Sequence, residues 1–291
     1  MDPKSILTAL GWEGSDAEPF INAEDGEAYS VWKVTDGNRT GVLKPAKEYE
    51  AEVYTTFLRA ECNFAPKLLA MTRQDDRCWL LMEYVPGEDL RFCTRAKLIK
   101  ALDALIEMQK HWWQCSGYED TAFSMEKART GRIRRGEDLG DEPLRQAYLT
   151  YLNIWEKIPR TLCHEDLLPF NVLIGEDRAV IIDWEYAGMQ PYLSSLARLI
   201  AHGEEAESAF FHMKAEDRTF AIEYYYEHLV REKGISIDTY RRDLDYFLLY
   251  EYCEWIMLGN RYGDITSDRY CRYLALAREH IQHLKEEQTW K

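Results

Sequence analysis

Four side chains in this 291-residue sequence stand at a spacing that can do chemistry together. They are His164, Asp166 and Asn171, in the run His164-Glu165-Asp166-Leu167-Leu168-Pro169-Phe170-Asn171, and Asp183, twelve residues further on. The order is H-x-D-x-x-x-x-N. The run leads into two short apolar stretches, 172–174 and 179–182, divided by Gly175-Glu176-Asp177-Arg178. That pattern predicts a hairpin whose second strand ends at Asp183. Phosphoryl transfer asks for these residue types. One carboxylate, Asp166, orients an attacking hydroxyl and takes its proton. A second carboxylate, Asp183, and an amide oxygen, Asn171, hold Mg²⁺, a hard cation that prefers oxygen ligands. Singly, each is an ordinary loop or core side chain; it is the four together, beside a hairpin, that make a site.

The elements that must position these groups fall into two parts. Residues 1–85 read as short strands with one helix. Ala28-Tyr29-Ser30-Val31-Trp32-Lys33-Val34 carries β-formers, Thr35-Asp36-Gly37-Asn38 turns the chain, and Thr40-Gly41-Val42-Leu43-Lys44 returns it. Helical spacing of Val53 and Phe57 marks 48–58 as the helix. Two further apolar stretches, 67–71 and 78–85, flank a polar turn at 73–77, and Pro86-Gly87 ends the second. Residues 86–291 are mainly helical, with helices expected over 97–113, 145–155, 207–232, 239–261 and 270–287 around the 162–184 interruption. The expected class is α+β: a small antiparallel β lobe with one helix, then a larger, mainly helical lobe. Lys44, flanked by apolar strand residues, needs an anion. Glu50 shares a helix face with Val53 and Phe57, which selects it over Glu48 and Glu52 as the acid that faces inward.

The segment Leu162-Cys163-His164-Glu165-Asp166-Leu167-Leu168-Pro169-Phe170-Asn171-Val172-Leu173-Ile174, with Val180-Ile181-Ile182-Asp183-Trp184-Glu185-Tyr186-Ala187-Gly188-Met189, resembles the aminoglycoside phosphotransferase and choline kinase superfamily, which has the protein-kinase-like two-lobe fold. The resemblance runs through nearly the whole chain; its specific motifs lie between His164 and Gly188. It implies Asp166 as catalytic base, Asn171 and Asp183 as magnesium ligands, and His164 as a brace of the loop. It implies that Lys44 meets the nucleotide's α- and β-phosphates, with Glu50 as its helix partner. A phosphate-covering loop is expected at Asp25-Gly26-Glu27-Ala28-Tyr29-Ser30, where one glycine replaces the usual glycine pattern and Ser30 offers a donor. The backbone around Glu83, Tyr84 and Val85 is expected to receive adenine. Backbone recognition leaves ATP and GTP both open, with ATP the expected cofactor alongside Mg²⁺.

The acceptor implied is a small, cationic alcohol, aminoglycoside-like or choline-like. Glu185, and the acids and aromatic of Tyr250-Glu251-Tyr252-Cys253-Glu254-Trp255, are its expected contacts through ion pairing and cation–π attraction: Glu185, Glu251, Glu254 and Trp255. Two departures stand out. Glu165 takes a place that is usually glycine, and Ser195 a place that is commonly aspartate. They motivate an alternative, a non-catalytic kinase-like binding or regulatory module. A metal-dependent phosphoesterase would need further His or Asp ligands at close spacing, which the sequence does not show.

Composition narrows the partners. Acidic residues outnumber basic ones 51 to 36, a formal net charge of −15, which disfavours a nucleic-acid ligand. Hydrophobic residues are 46% and no apolar run approaches a membrane span. Seven cysteines without C-x-x-C spacing argue against a zinc site or a disulfide framework, and for a reducing compartment. With no basic head and apolar stretch at the N-terminus, the expectation is a cytoplasmic protein with neither membrane nor nucleic-acid partner. The basic run 129–135, short and alone in an acidic sequence, is expected to be a solvated loop or a mobile insert, with an anionic ligand as the lesser alternative.

Overall fold

The computed structural model describes residues 3–21, 26–37, 39–58, 62–118, 121–123 and 125–289. Asp25 of the expected phosphate-covering loop and Asn38 of the first turn lie outside them. The chain opens with helix α1 (Lys4–Ala9), then strands β1 (Asp16–Ile21), β2 (Ala28–Asp36) and β3 (Arg39–Ala46), helix α2 (Glu48–Thr56), and strands β4 (Leu68–Gln74) and β5 (Arg77–Glu83). These strands form one antiparallel sheet in the order β1-β2-β3-β5-β4. Asp75 and Asp76 both take left-handed φ values, +52° and +58°, which suits a two-residue β4–β5 hairpin because its twist matches that of the strands.

Strand β5 shows why Cys78-Trp79-Leu80-Leu81-Met82 is apolar without a break. Trp79 and Leu81 point to one face, where they meet Val34, Leu43, Trp12 and the α1 residues Ile6 and Leu7. Leu80 and Met82 point to the other, where Val53, Tyr54 and Phe57 pack. A central strand covered on both faces has no solvent side on which to place polar residues. Helix α1 is therefore a second helix of this lobe, beyond the single one that hydrophobic spacing predicts.

From β5 the chain crosses through residues 84–87 to β6 (Glu88–Asp89), which pairs with residues 173–174. Gly87 is obligatory for steric reasons: a Cβ there would stand 2.2 Å from the Ile174 carbonyl oxygen. The helical lobe follows as α3 (Arg95–His111), α4 (Met125–Gly136), α5 (Glu142–Trp155), β7 (Arg160–Cys163), β8 (Val172–Ile174), β9 (Ala179–Ile181), β10 (Gly188–Pro191), α6 (Leu193–Ile200), α7 (Ala215–Tyr225), α8 (Ile237–Tyr262) and α9 (Asp268–Thr289). Two small sheets, β6-β8-β9 and β10-β7, frame the loop that carries Asp166. Thr94, Asp141 and Ser236 cap α3, α5 and α8 through side-chain oxygens that accept from backbone N–H groups.

Two segments differ from expectation. The helix expected from Glu207 starts at Ala215, because His212 is drawn into extended pairing: its N–H donates to the Arg91 carbonyl at 2.7 Å. The run 129–135 is the body of α4, and Arg132 within it is 5% exposed. Among the described residues no helix is long and apolar enough to cross a membrane.

Candidate active site

The loop between β7 and β8 is held at both ends. His164 is fully buried; its Nε2–H donates to the Ile182 carbonyl at 2.8 Å, and its backbone N–H donates to Ser195 Oγ at 3.0 Å. Ser195 thus braces the loop with a neutral hydroxyl. The Ile182 N–H donates to the Asn171 carbonyl at 2.9 Å, so the residue before Asp183 is tied to the residue that ends the loop. Asn171 Nδ2 donates to the Asp166 carbonyl at 2.8 Å, which leaves Oδ1 as its one atom able to ligate a metal.

Asp183 and Glu165 are both left-handed, at φ +66° and +62°. Such a backbone costs a non-glycine residue of order 1 kcal/mol and persists only when neighbours enforce it. For Glu165 the enforcing contact is an ion pair with the buried Arg132 of α4. The positive φ gives a physical reason for glycine at this position, and the ion pair gives one for a glutamate that stays there.

Lys44 reaches across from β3. Its Nζ lies 2.8 Å from Glu50 Oε1 and 2.5 Å from Asp183 Oδ1, so one cation joins the helix of the first lobe to the metal-ligand candidate of the second. Burial opposes its charge, but Glu50 and Asp183 more than reverse that and hold the ammonium above its ordinary range. Glu50 is 2% exposed, and burial pushes its carboxyl up against the opposing pull of Lys44.

Asp166 Oδ1 accepts from Arg198 Nη2 at 2.8 Å and Nε at 3.2 Å, while Arg198 Nη1 donates to Glu251 Oε2 at 2.8 Å. Burial raises the Glu251 carboxyl, yet Arg198 and His202 outweigh it, and the group lies below its usual range. Arg198 is the one cation in the apolar run Leu193-Ser194-Ser195-Leu196-Ala197-Arg198-Leu199-Ile200. That singular placement was the available sign of a site residue.

The other expected site residues separate into groups. Glu185, Glu251 and Glu254 line a cavity of about 530 Å³ between the lobes, together with Arg198 and Glu165. Trp255 is not among its lining residues; it stacks on Tyr273 with ring centroids 5.6 Å apart and carries Arg269 over its face. As a member of the acceptor patch it is corrected by helix geometry, since it packs against α9. Ser30 is exposed near the start of β2. Glu83 belongs to β5: its N–H donates to the Lys67 carbonyl at 2.8 Å and its carboxylate takes Arg178 Nη2 on both oxygens at 2.9 Å. Its N–H and its carboxylate are engaged, and Val85, half-buried, lies on the connection that follows.

Two histidines of this region, His164 and His202, are buried, and burial holds both below the ordinary 6.5. Each folds neutral, so the unfolded chain binds protons first as the pH falls. Stability is then full above about pH 6.5 and declines below it. The urea midpoint is expected to fall between about pH 7 and pH 5; a midpoint independent of pH over that window would contradict the buried neutral histidines.

An antiparallel lobe whose lysine reaches a loop aspartate, set on a helical lobe that carries H-x-D-x-x-x-x-N, is a kinase-like architecture. The chain belongs to the phosphotransferase enzyme family, whose model matches residues 22–228. It is 28% identical over 131 residues to Protein LicA of Haemophilus influenzae, covering 42% of this chain and 44% of that protein; the match thus spans less than half of the curated relative. Among solved structures, choline kinase from Cryptosporidium parvum Iowa II is similar with a TM-score of 0.59 at 15% identity, covering 98% of this chain and 94% of that one. A thermostable mutant of aminoglycoside phosphotransferase APH(4)-Ia, in ternary complex with ADP and hygromycin B, gives 0.58 at 14%, covering 96% and 97%. At these identities the likeness is one of fold.

Proposed function

We propose that this chain transfers the terminal phosphoryl group of ATP to a hydroxyl of a small molecule, with Mg²⁺ as metal cofactor. The observation that carries the reading is the Lys44 bridge to Glu50 and Asp183, closed over a loop in which Asn171 is bonded to Asp166. Asp183 and Asn171 Oδ1 are hard oxygen donors of the kind Mg²⁺ takes, and two protein donors suffice because this ion keeps waters and phosphate oxygens in its shell. Bound there, the ion would neutralise phosphate charge.

The protein's own groups divide the remaining work. Lys44 offers its ammonium to the nucleotide phosphates, Ser30 a hydroxyl at their outer side, and the backbone at Val85 a polar edge for the base. Asp166 accepts the acceptor's proton as its oxygen bonds to the γ-phosphorus and the bond to the β–γ bridging oxygen breaks, releasing ADP. Arg198 keeps the Asp166 carboxylate oriented. Catalysis on this plan is chiefly positioning and charge placement. The two departures that favour a non-catalytic module both find partners, Glu165 in Arg132 and Ser195 in His164, which supports the enzyme reading over that one.

The test is ADP release from Mg-ATP across choline, ethanolamine, aminoglycosides and uncharged alcohols, with GTP and EDTA arms. Acceptor-dependent release that stops with EDTA is expected. Absence of both turnover and metal-dependent ATP binding would overturn the proposal in favour of the binding module.

A further inference from the structure

Arg198 meets Asp166 unevenly. Its Nε–H and Nη2–H both donate to Oδ1, at 3.2 and 2.8 Å, and among the described residues no hydrogen bond reaches Oδ2. A guanidinium and a carboxylate free to settle pair fork to fork, with one N–H on each oxygen. The far side of this guanidinium is held elsewhere: Nη1 donates to Glu251 Oε2 at 2.8 Å. A turn of the fork towards Asp166 Oδ2 would draw Nη1 off Glu251. The Asp166 side chain is 25% exposed, against 4% for Glu251, so of the two carboxylates it is Asp166 that a ligand can reach.

Glu251 is pinned in turn. Its Oε2 takes a second hydrogen bond from His202 Nε2–H, at 3.2 Å, just past the end of α6. An ionised carboxylate only accepts, so the Nε2 proton belongs to His202 and Nδ1 is left as an acceptor. The Tyr273 hydroxyl of α9 donates to that Nδ1 at 2.9 Å. Trp255 stacks on Tyr273 and stands edge-on to the His202 ring, with centroids 5.6 and 6.2 Å away. His202, Glu251 and Tyr273 are all buried. A buried polar network with its groups paired is rigid, because each bond it gave up would strand a partner away from water. This one ends on the side chain that touches Asp166.

We propose that Glu251 and His202 are positioning residues, which hold Arg198 on Oδ1 of Asp166 and so keep Oδ2 open for the proton of the acceptor hydroxyl. This rests on the phosphotransferase reading above and moves Glu251 from the acceptor contacts to the support of the base. Glu251 supplies the counter-pull on Nη1, and His202 fixes the oxygen that exerts it. Without them the guanidinium closes on both oxygens of Asp166 and competes with the acceptor for the one that takes its proton.

The experiment has a structural and a kinetic arm. Crystal structures of the wild type and of Glu251→Ala should show the Arg198 fork on Oδ1 alone in the first and across both Asp166 oxygens in the second. The kinetic arm follows ADP release from Mg-ATP with whichever of choline, ethanolamine, kanamycin and glycerol turns over fastest. Glu251→Ala and His202→Phe should each lower kcat about tenfold or more, with KM for ATP unchanged. His202→Gln, whose side-chain N–H can still donate to Glu251, should stay within about threefold of the wild type. In an Arg198→Met background, Glu251→Ala should change kcat and acceptor KM by no more than about twofold, because its effect passes through Arg198. Thermal melts accompany every variant. Should Glu251→Ala not fold, Glu251→Gln, which keeps the volume and removes the charge, takes its place in both arms.

A guanidinium that stays on Oδ1 in the Glu251 variant, or a folded variant with wild-type kcat, would overturn the proposal and leave the phosphotransferase standing. So would an acceptor KM that rises in the Arg198→Met background as much as in the wild type, since Glu251 would then touch the acceptor itself. Equal losses in His202→Phe and His202→Gln would remove His202 from the role. If no alcohol turns over but Mg-ATP binds, the two crystal structures decide. Failure to bind Mg-ATP at all rejects the parent reading, and this one with it.

Discussion

Asp166→Asn is expected to lower kcat by about a thousandfold while leaving Mg-ATP affinity nearly unchanged, because a positioned general base contributes about 10²–10⁴ to such a step. The substitution preserves shape and an oxygen that can still accept from Arg198 Nε and Nη2. It removes the basicity that takes the acceptor's proton. Asn171 bonds to the Asp166 backbone carbonyl, not to its side chain, so the metal-ligand candidate keeps its orientation in the variant. Single-turnover kinetics beside calorimetric ATP binding check the claim. A variant that turns over at the wild-type rate would remove Asp166 from the role of base; one that also loses nucleotide would show a structural role instead.

Lys44→Met is the second large effect, and it has two parts. Activity should fall about 10²–10³-fold, as expected when an electrostatic partner of transferring phosphate is lost. Stability should fall by about 3 kcal/mol, because the substitution strands Glu50, which is 2% exposed and bonded to Lys44 at 2.8 Å. Burial already raises the Glu50 carboxyl, and the substitution removes the pull of Lys44 that opposes it. The double variant Lys44→Met with Glu50→Gln replaces the stranded carboxylate with a neutral amide. It should recover most of the urea midpoint and none of the activity. If activity returned together with stability, Lys44 would be a structural residue only.

The parts of the fold legible in sequence were those set by local pattern. The polar turn at 73–77 became a hairpin because Asp75 and Asp76 tolerate left-handed backbone. Glu50 could be chosen over its neighbours because helix period alone puts it on the face of Val53 and Phe57. The hairpin that delivers Asp183 was visible because two short apolar stretches and a turn have few other ways to fold. Helix α1 was not read, since six residues between turns give too few periods to recognise.

The charges of the cavity were the opposite case. Glu185, Glu251 and Glu254 look in sequence like free acids awaiting a cation. Their partners are Lys47, Arg198 and Arg135, and for the last two the separation is 53 and 119 residues. The basic run 129–135 reads as a solvated loop or mobile insert because it is short and alone in an acidic sequence; packing of α4 beside Trp155 and Tyr250 is what buries Arg132. Trp255 was placed with the acceptor by its neighbours in sequence, and helix α9 claims its face instead.

By itself the sequence determined the phosphotransferase loop and the strand lysine with its helix acid, because each is written in spacings of about two helical turns or less, and the α+β arrangement that joins them, because local periodicity marks its strands and helices. Only the tertiary structure decided which charges remain for a ligand. Ion pairs form between side chains that packing brings within about 4 Å, whatever their distance along the chain, and a low-dielectric cleft makes that pairing energetically decisive.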